Sequence, residues 1–310
     1  GFGIYSPPWA RFRGITADDS GNVYAADENS SLIRQFDSSG SLLDTWALSR
    51  GVNNPCVGCG CTPIGLDKDK DGYFYVACYG THEIQKLDSK GNLVLRWGLS
   101  GNGAGQLNSP NALAVSPSGT VYVADALDRV QMFSSTTGQY KGKFGDYYTR
   151  GLTVDANNNV YIADTFKHQI LKLDSSGKLL DKWGSYGSGD GQFKYPFGIA
   201  VDGSGNVYVA DTSNHRVQVF DSSGNFLRKW GSRGSGNGQF RYPFGIAVDD
   251  SGNVYVADTY NHRVQVFDSS GNFLRKWGSY GSGNGQFRGP VGIAVDDSGN
   301  VYVLDTYNRR

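Results

Sequence analysis

Hydrophobic and polar residues alternate along short runs throughout the chain. Runs such as GIAVD, NVYVAD, RVQVF and FLRKW place bulky apolar residues at every second position. This period of two predicts β-strands, because successive strand residues point to opposite faces of a sheet. Turns such as DDSGN and DSSGN separate the runs, and no segment carries a helical apolar stripe. The pattern therefore predicts an all-β protein.

The order of these runs repeats. The string from Pro196 to Trp230 returns almost unchanged at Pro243 and in shortened form at Pro290, so both steps are 47 residues. Four strands repeated at about 40 to 50 residues predict the four-stranded blades of a β-propeller. We expect a single propeller domain over 1–310, with complete repeats at 14–46, 63–97, 110–144, 150–183, 196–230 and 243–277 and a half repeat at 290–310.

The half repeat leaves the number of blades open. A seven-bladed ring with a thin last blade is favoured, a six-bladed ring with a spare half blade is the alternative, and a sequence that continues past Arg310 is a third interpretation. Each leaves an open strand edge, whose unpaired N–H and C=O groups favour pairing with another chain. We expect self-association there, and contacts of this kind that do not close into a ring grow into filaments.

Composition indicates a folded domain rich in turns. Apolar residues make up 38% of the chain and aromatic residues 13%, which is enough bulk for a core. The 44 glycines among 310 residues are about twice the usual share, as expected for many tight turns. The 29 basic residues balance 29 acidic ones, so no overall field attracts nucleic acid or anionic membranes. No apolar run reaches the roughly 20 residues that span a bilayer.

The segment NHRVQVF, preceded by YVADT and followed by FLRKWG, resembles the NHL-repeat family of β-propellers. The resemblance covers almost the whole chain and is most specific at Asn214-His215-Arg216 and Asn261-His262-Arg263. It implies a propeller, with six blades in most relatives. Some similar propellers bind RNA on a basic face, and basic residues concentrate in the C-terminal half here. Because the net charge is zero, we expect protein partners and no nucleic acid.

Four cysteines are confined to the region of blade two. Cys56, Cys59 and Cys61 lie in NPCVGCGCTP, and Cys78 stands where the other repeats have Asp. Two disulfides are favoured, which suits an oxidising compartment and predicts an extracellular or secreted protein. A zinc site is less favoured because C-x-x-C-x-C lacks a second C-x-x-C pair, and free thiols are the third interpretation.

Two other patterns raise the question of a metal. Asp67, Asp69 and Asp71 alternate before Gly72, a spacing that suits calcium, although the twelfth-position acid of a full EF-hand loop is missing. A solvated acidic turn is the favoured interpretation and calcium the alternative. All four histidines occupy the same place in their repeats, where they would meet on one rim if they held zinc: His82, His168, His215 and His262.

The histidines bear on the question of catalysis. The segment DTFKHQILKLD around His168 resembles the peptide-amidating lyases, which are zinc enzymes similar to NHL propellers. A residue repeated by duplication says little about a unique active site, so we favour a structural role for the histidines. The repeated Asp residues, such as Asp211 and Asp258, are expected to cap backbone N–H groups or to pair with the nearby Arg.

These patterns favour a non-enzymatic, extracellular binding or assembly scaffold, self-assembling through its incomplete last blade. No cofactor is required. The alternative is a zinc- or calcium-dependent lyase or hydrolase, similar to the peptide-amidating lyases or the lactonase propellers. Asn29 begins the sequon Asn29-Ser30-Ser31 and is a candidate for glycosylation.

Overall fold

A computed structural model describes residues 14–18, 20–27, 30–49, 60–145, 147–296 and 298–308. It contains six four-stranded antiparallel sheets and one two-stranded sheet, and the strands of each sheet follow one another in chain order. The predicted all-β propeller is therefore confirmed. No helix in these residues is long and apolar enough to cross a membrane.

The bounds of the strands follow the repeats. The first three blades contain β1 Ile15–Ala17, β2 Val23–Asp27, β3 Leu32–Phe36 and β4 Leu42–Ala47; β5 Pro63–Lys68, β6 Phe74–Cys78, β7 Glu83–Leu87 and β8 Leu93–Trp97; and β9 Ala112–Val115, β10 Thr120–Ala124, β11 Val130–Ser134 and β12 Tyr140–Phe144.

The remaining sheets continue the series. They contain β13 Thr149–Val154, β14 Val160–Asp164, β15 Gln169–Leu173 and β16 Leu179–Trp183; β17 Pro196–Val201, β18 Val207–Asp211, β19 Arg216–Phe220 and β20 Phe226–Trp230; β21 Pro243–Val248, β22 Val254–Asp258, β23 Arg263–Phe267 and β24 Phe273–Trp277; and β25 Pro290–Val295 and β26 Val301–Asp305. Single 3-10 turns follow β18 and β22, at Thr212–Asn214 and Thr259–Asn261.

The first strand of each sheet lies in an inner ring. Each inner strand contacts those of the two neighbouring sheets, and β25 contacts both β21 and β1. The Tyr302 hydroxyl, on β26, donates to the Gly21 carbonyl of blade one at 3.0 Å. The four-stranded blades therefore number six, as in the six-bladed alternative, and the two-stranded sheet takes a further position between blades six and one.

The meander sorts the connections onto two faces. Because consecutive strands are antiparallel, the turns after the first and third strands lie on one face, which we call the turn face. The loops after the second strand and the connections between blades, such as 184–195 and 231–242, lie on the other, which we call the loop face.

The core lies between the blades. The second and third strands of blade five, β18 and β19, are buried along their whole length, whereas the residues of β20 alternate between partly buried and exposed. Trp183 packs on Phe220 of the next blade with ring centroids 5.7 Å apart. The buried Tyr208 directs its hydroxyl to Asp202 at 3.1 Å, so its polar end is satisfied at the turn face.

Candidate functional site

A buried carboxylate organises the loop face of blade five. Asp211, at the end of β18, accepts hydrogen bonds from the Lys194 backbone N–H (2.8 Å) and the Arg216 Nε (2.7 Å). It also accepts from the side-chain amides of Asn214 (2.9 Å) and Gln218 (3.1 Å). Burial raises the pKa of the Asp211 carboxyl, although these donors oppose the shift. Blade six repeats the cluster, so the structural role predicted for the repeated Asp is confirmed.

The guanidinium of Arg216 holds the connection between blades four and five. It donates to the carbonyls of Ser188, Gly189 and Gln192, each at 2.8 Å. The glycine-rich connection therefore bends around an arginine from the blade that follows it. Its carbonyl oxygens point to a cation, which is opposite to the arrangement of N–H groups that binds phosphate.

The histidines join neighbouring blades. His215 adopts a left-handed backbone (φ 57°), and its Nδ1 accepts the Tyr242 backbone N–H of the next blade at 3.1 Å. The other three histidines are also left-handed and make the same bond, with acceptor distances of 2.8 to 3.1 Å: His82 to Ser109, His168 to Tyr195 and His262 to Gly289. Burial lowers the pKa of His168, His215 and His262, which favours the neutral ring that accepts at Nδ1.

The predicted metal ligands do not converge. Asp67 is partly buried and accepts the Val115 N–H of blade three at 2.8 Å, and desolvation of its carboxyl raises the pKa of Asp67 to about 6. Asp69 accepts the Tyr75 hydroxyl at 2.8 Å, and Asp71 is exposed. Within the described ranges, no three His, Cys, Asp or Glu side chains are grouped as they would be around a metal ion. Calcium at these residues and zinc at the histidines stay predictions without a ligand cluster to support them.

One cysteine pair is present in the described part of the chain. Cys61 and Cys78 form a disulfide, and both are buried. Cys78 lies opposite Pro63 in the blade-two sheet, the place that Asp211 takes opposite Pro196 in blade five. The predictions for Cys56, Cys59 and Asn29 lie outside the described residues.

The loop face carries basic and aromatic side chains at the mouth of the ring. Four cations lie beside the starts of four consecutive inner strands, and we call them the basic arc: Arg150, Lys194, Arg241 and Arg288. Three of them stack on tyrosine rings at 4.9 to 5.5 Å from the ring centre, namely Arg150 on Tyr148, Lys194 on Tyr186 and Arg288 on Tyr280. Exposed aromatic side chains surround the arc: Phe166, Tyr186, Tyr195, Tyr280 and Tyr307.

The turn face carries carboxylates at the other ends of the inner strands. We call these residues the acidic ring: Asp18, Asp69, Asp155, Asp202, Asp249 and Asp296. Each takes the same place in its repeat, and in blade three Ser116 stands there instead. Sequence reasoning missed this separation, because a net charge of zero conceals two faces of opposite sign. The signal was a Lys or Arg before each "GIAV" run and an Asp directly after it.

The sheets and the closed inner ring define a β-propeller. Among solved structures, a streptogramin B lyase has a TM-score of 0.75 at 16% identity, covering 97% of this chain and 92% of its own. A virginiamycin B lyase from Staphylococcus aureus has a TM-score of 0.69 at 14% identity, covering 92% of this chain and 88% of its own. These similarities establish the fold alone.

Three of the repeats match a known repeat model. The family model for the NHL repeat matches residues 193–220, 240–267 and 287–310. Protein brain tumor of Drosophila melanogaster is 28% identical over 128 residues, which cover 39% of this chain and 12% of that protein. This chain therefore carries NHL repeats in the C-terminal part of a β-propeller, and the alignment spans only a small part of its curated relative.

Proposed function

We propose that the chain is a non-enzymatic, extracellular scaffold that binds other protein chains, including copies of itself. The observation that carries this proposal is the edge of β26, which in the described residues pairs with β25 alone. The second strands of the complete blades five and six are buried throughout, whereas Val301, Tyr302 and Val303 of β26 are partly exposed. An edge of this kind accepts an added strand.

Two further observations agree with this function. The Asn, His and Arg that name the repeat are engaged in bonds within and between blades, so in blades five and six they serve the scaffold. A buried disulfide between Cys61 and Cys78 suits an oxidising, extracellular compartment.

The hydrogen-bond alternation along β26 defines a variant that tests this edge. The Asp296 N–H donates to the Asn300 carbonyl beside the turn. Because alternate residues point opposite ways, the backbone of Tyr302 bonds to β25 and that of Val303 faces the open edge. Val303→Pro therefore blocks an added strand and leaves the pairing with β25 intact.

Sedimentation velocity at high salt, where charge attractions are screened, gives the readout. We expect the wild type to form oligomers and Val303→Pro to sediment as a monomer with an unchanged circular dichroism spectrum. Tyr302→Pro, which disrupts the pairing of β25 with β26, should lose stability as well. Oligomers of wild-type size in Val303→Pro would show that strand addition does not link the chains.

The alternative function is that of a metal-dependent lyase. The observation in its favour is the fold shared with streptogramin lyases, one of which is described as a catalytically inactive histidine-to-alanine variant bound to quinupristin. Here each histidine is the acceptor that joins two blades. If the chain turns over quinupristin, and this activity is lost in His168→Ala or on chelation, the lyase function would be supported and the scaffold function rejected.

A further inference from the structure

The inner strands of blades five and six and of the two-stranded sheet carry opposite charges at their two ends. Lys194 lies two residues before β17 begins, and Asp202 directly follows its last residue. Arg241 and Asp249 flank β21 in the same way, and Arg288 and Asp296 flank β25. Since these strands run from the loop face to the turn face, each strand has a cation at its loop-face end and an anion at its turn-face end.

The basic arc lies on a face with little acidic compensation. Asp190, on a connection of this face, is paired with Lys229 of the outer strand β20. Asp211 and Asp258 are buried and bonded to Arg216 and Arg263. Arg241 and Arg288 are exposed, as is Arg233, which lies on the same connection as Arg241. Among the described residues, the mouth of the ring is therefore positive across blades four to six, whereas at the two-stranded sheet the buried Asp305 lies beside Arg288 and offsets its charge.

The acidic ring keeps its negative charge because the turns hold it in place. The Asp202 carboxylate accepts the backbone N–H groups of Ser204 (2.9 Å) and Asn206 (2.8 Å). Although burial opposes the shift, such hydrogen bonds lower the pKa of Asp249 and Asp296. The hydrogen-bond donors that fix Asp202, Asp249 and Asp296 are neutral, so these charges are oriented without being cancelled. Asp69 of blade two, by contrast, lies 4.0 Å from the Lys86 Nζ and is partly compensated.

We propose that the basic arc of one copy docks on the acidic ring of a second copy, so that the two propellers stack along a shared axis. Both charged sets lie at ends of the same inner strands. Lys194, Arg241 and Arg288 take equivalent places two residues before their strands, and the acidic ring residues take equivalent places after theirs, so both sets repeat with the same step from blade to blade. Arg150 lies at the second position of β13. A second copy matches this spacing without adjustment, whereas a foreign acidic partner would have to reproduce it.

The stack has a defined polarity. Six of the seven inner positions on the turn face carry Asp. Asp296 is buried and the other five are partly exposed, so four consecutive cations meet at least two partly exposed carboxylates in any rotational register. The contact joins different faces of the two copies, which makes it heterologous and able to extend into a column. It uses neither edge of β26 and is independent of strand addition.

Two charge-reversed variants test the stack. Arg241→Glu with Arg288→Glu makes the loop face acidic. Gly203→Lys with Asp250→Lys makes the turn face basic, and both positions lie beside the acidic ring without replacing it. Gly203 has no atom within 4 Å of an added Cβ, and Asp250 is exposed, so these changes leave the turns intact.

The measurement is sedimentation velocity of Val303→Pro chains carrying these changes, at about 20 mM and about 500 mM salt, where the screening length differs several-fold. We expect the parent to associate at low salt and dissociate at high salt. Each reversed variant should remain monomeric, with association at least about tenfold weaker, and an equimolar mixture should associate again because opposite faces are restored.

Three results would overturn the stack: a parent that is monomeric at low salt, reversed variants that associate like the parent, or a mixture that stays monomeric. Each variant is first required to match the parent in thermal unfolding, so that loss of fold cannot imitate loss of contact. If the parent is monomeric but binds a polyglutamate probe through Arg241 and Arg288, the arc serves a foreign acidic partner instead. If the stacking hypothesis fails, the hypothesis of strand addition at β26 still stands, because that edge is tested separately at high salt.

Discussion

Blades two and five fasten the same two positions by different chemistry. In blade five the Lys194 N–H donates to Asp211, which lies opposite Pro196 at the end of β18. In blade two the matching positions are Cys61 and Cys78, and a disulfide joins them. The fold thus needs a link between the entry of a blade and the end of its second strand, and either a covalent bond or a carboxylate supplies it.

The change of link extends to the next strand. Glu83 takes the place of Arg216, since it lies opposite Cys78 as Arg216 lies opposite Asp211. Glu83 accepts a hydrogen bond from Gln85 at 2.8 Å. Once the acid is replaced by a disulfide-bonded cysteine, an arginine there would be buried without its counter-charge, so the two substitutions belong together.

The largest expected effect comes from removing the carboxylate of blade five. Asp211→Ala leaves the buried Arg216 without its partner and should cost about 3 to 5 kcal/mol in the free energy of unfolding. Asp190→Ala is the matched control, because its ion pair with Lys229 is exposed and should contribute little. Urea denaturation measures both. Equal effects of the two substitutions would mean that the buried cluster does not fasten the blade.

Removing the disulfide should have the next largest effect. Cys61→Ser with Cys78→Ser opens a link between residues 17 apart in sequence, which predicts a loss of about 3 kcal/mol. Adding reductant to the wild type should produce a similar loss, and adding it to the double variant should change nothing at this link. If the double variant unfolds at the wild-type urea concentration, the covalent link is dispensable.

The equivalence of the two links can be tested by exchange. Cys61→Lys, Cys78→Asp and Glu83→Arg together install the blade-five residues in blade two. We expect this triple variant to recover part of the stability that the double serine variant loses, and to be insensitive to reductant. A triple variant less stable than the double one would show that the surroundings of each blade, and not the pair alone, select the link.

Asp67 should make the stability of blade two depend on pH. Its folded pKa of about 6 lies above the ordinary value of 3.8 for an aspartate carboxyl. Protonation therefore favours the folded state, and this contribution is full below about pH 4 and lost as pH rises through 6. Relative to Asp67→Asn, the wild type should lose about 2 to 3 kcal/mol between these values. If the stability difference between the wild type and Asp67→Asn stays constant with pH, the Asp67 carboxyl is as exposed to water in the folded state as in the unfolded state.

The fold could be predicted from the sequence because the same pattern of four strands recurs in every complete repeat. Asp211 and Asp258 were interpreted correctly for the same reason: a short acid beside a turn has few roles, and their arginines follow five residues later. The pairing of Cys61 with Cys78 was one of several that four cysteines allow. Only the register of β5 with β6 brings these two positions together.

The separation of charge between faces could not be read from composition. It depends on which end of a strand each residue occupies, and the connection that holds Lys194 and the turn that holds Asp202 are equally polar in sequence. The bond from each histidine to the next blade was also hidden, since its donor is a backbone N–H 27 residues away. Because every residue except proline has a backbone N–H, the residue type at the donor position does not reveal this bond.

The histidine link provides the smallest predicted effect and the reverse dependence on pH. His215→Asn keeps a residue that tolerates the left-handed backbone but removes the acceptor for Tyr242, at a cost of about 1 kcal/mol. Since burial lowers the folded pKa of His215 below 6.5, its contribution is present above pH 6.5 and is lost as pH falls through the folded value. The wild type and the variant should therefore differ in thermal stability at pH 8 and converge in acid, whereas a gap that persists in acid would mean that the imidazole stabilises by packing alone.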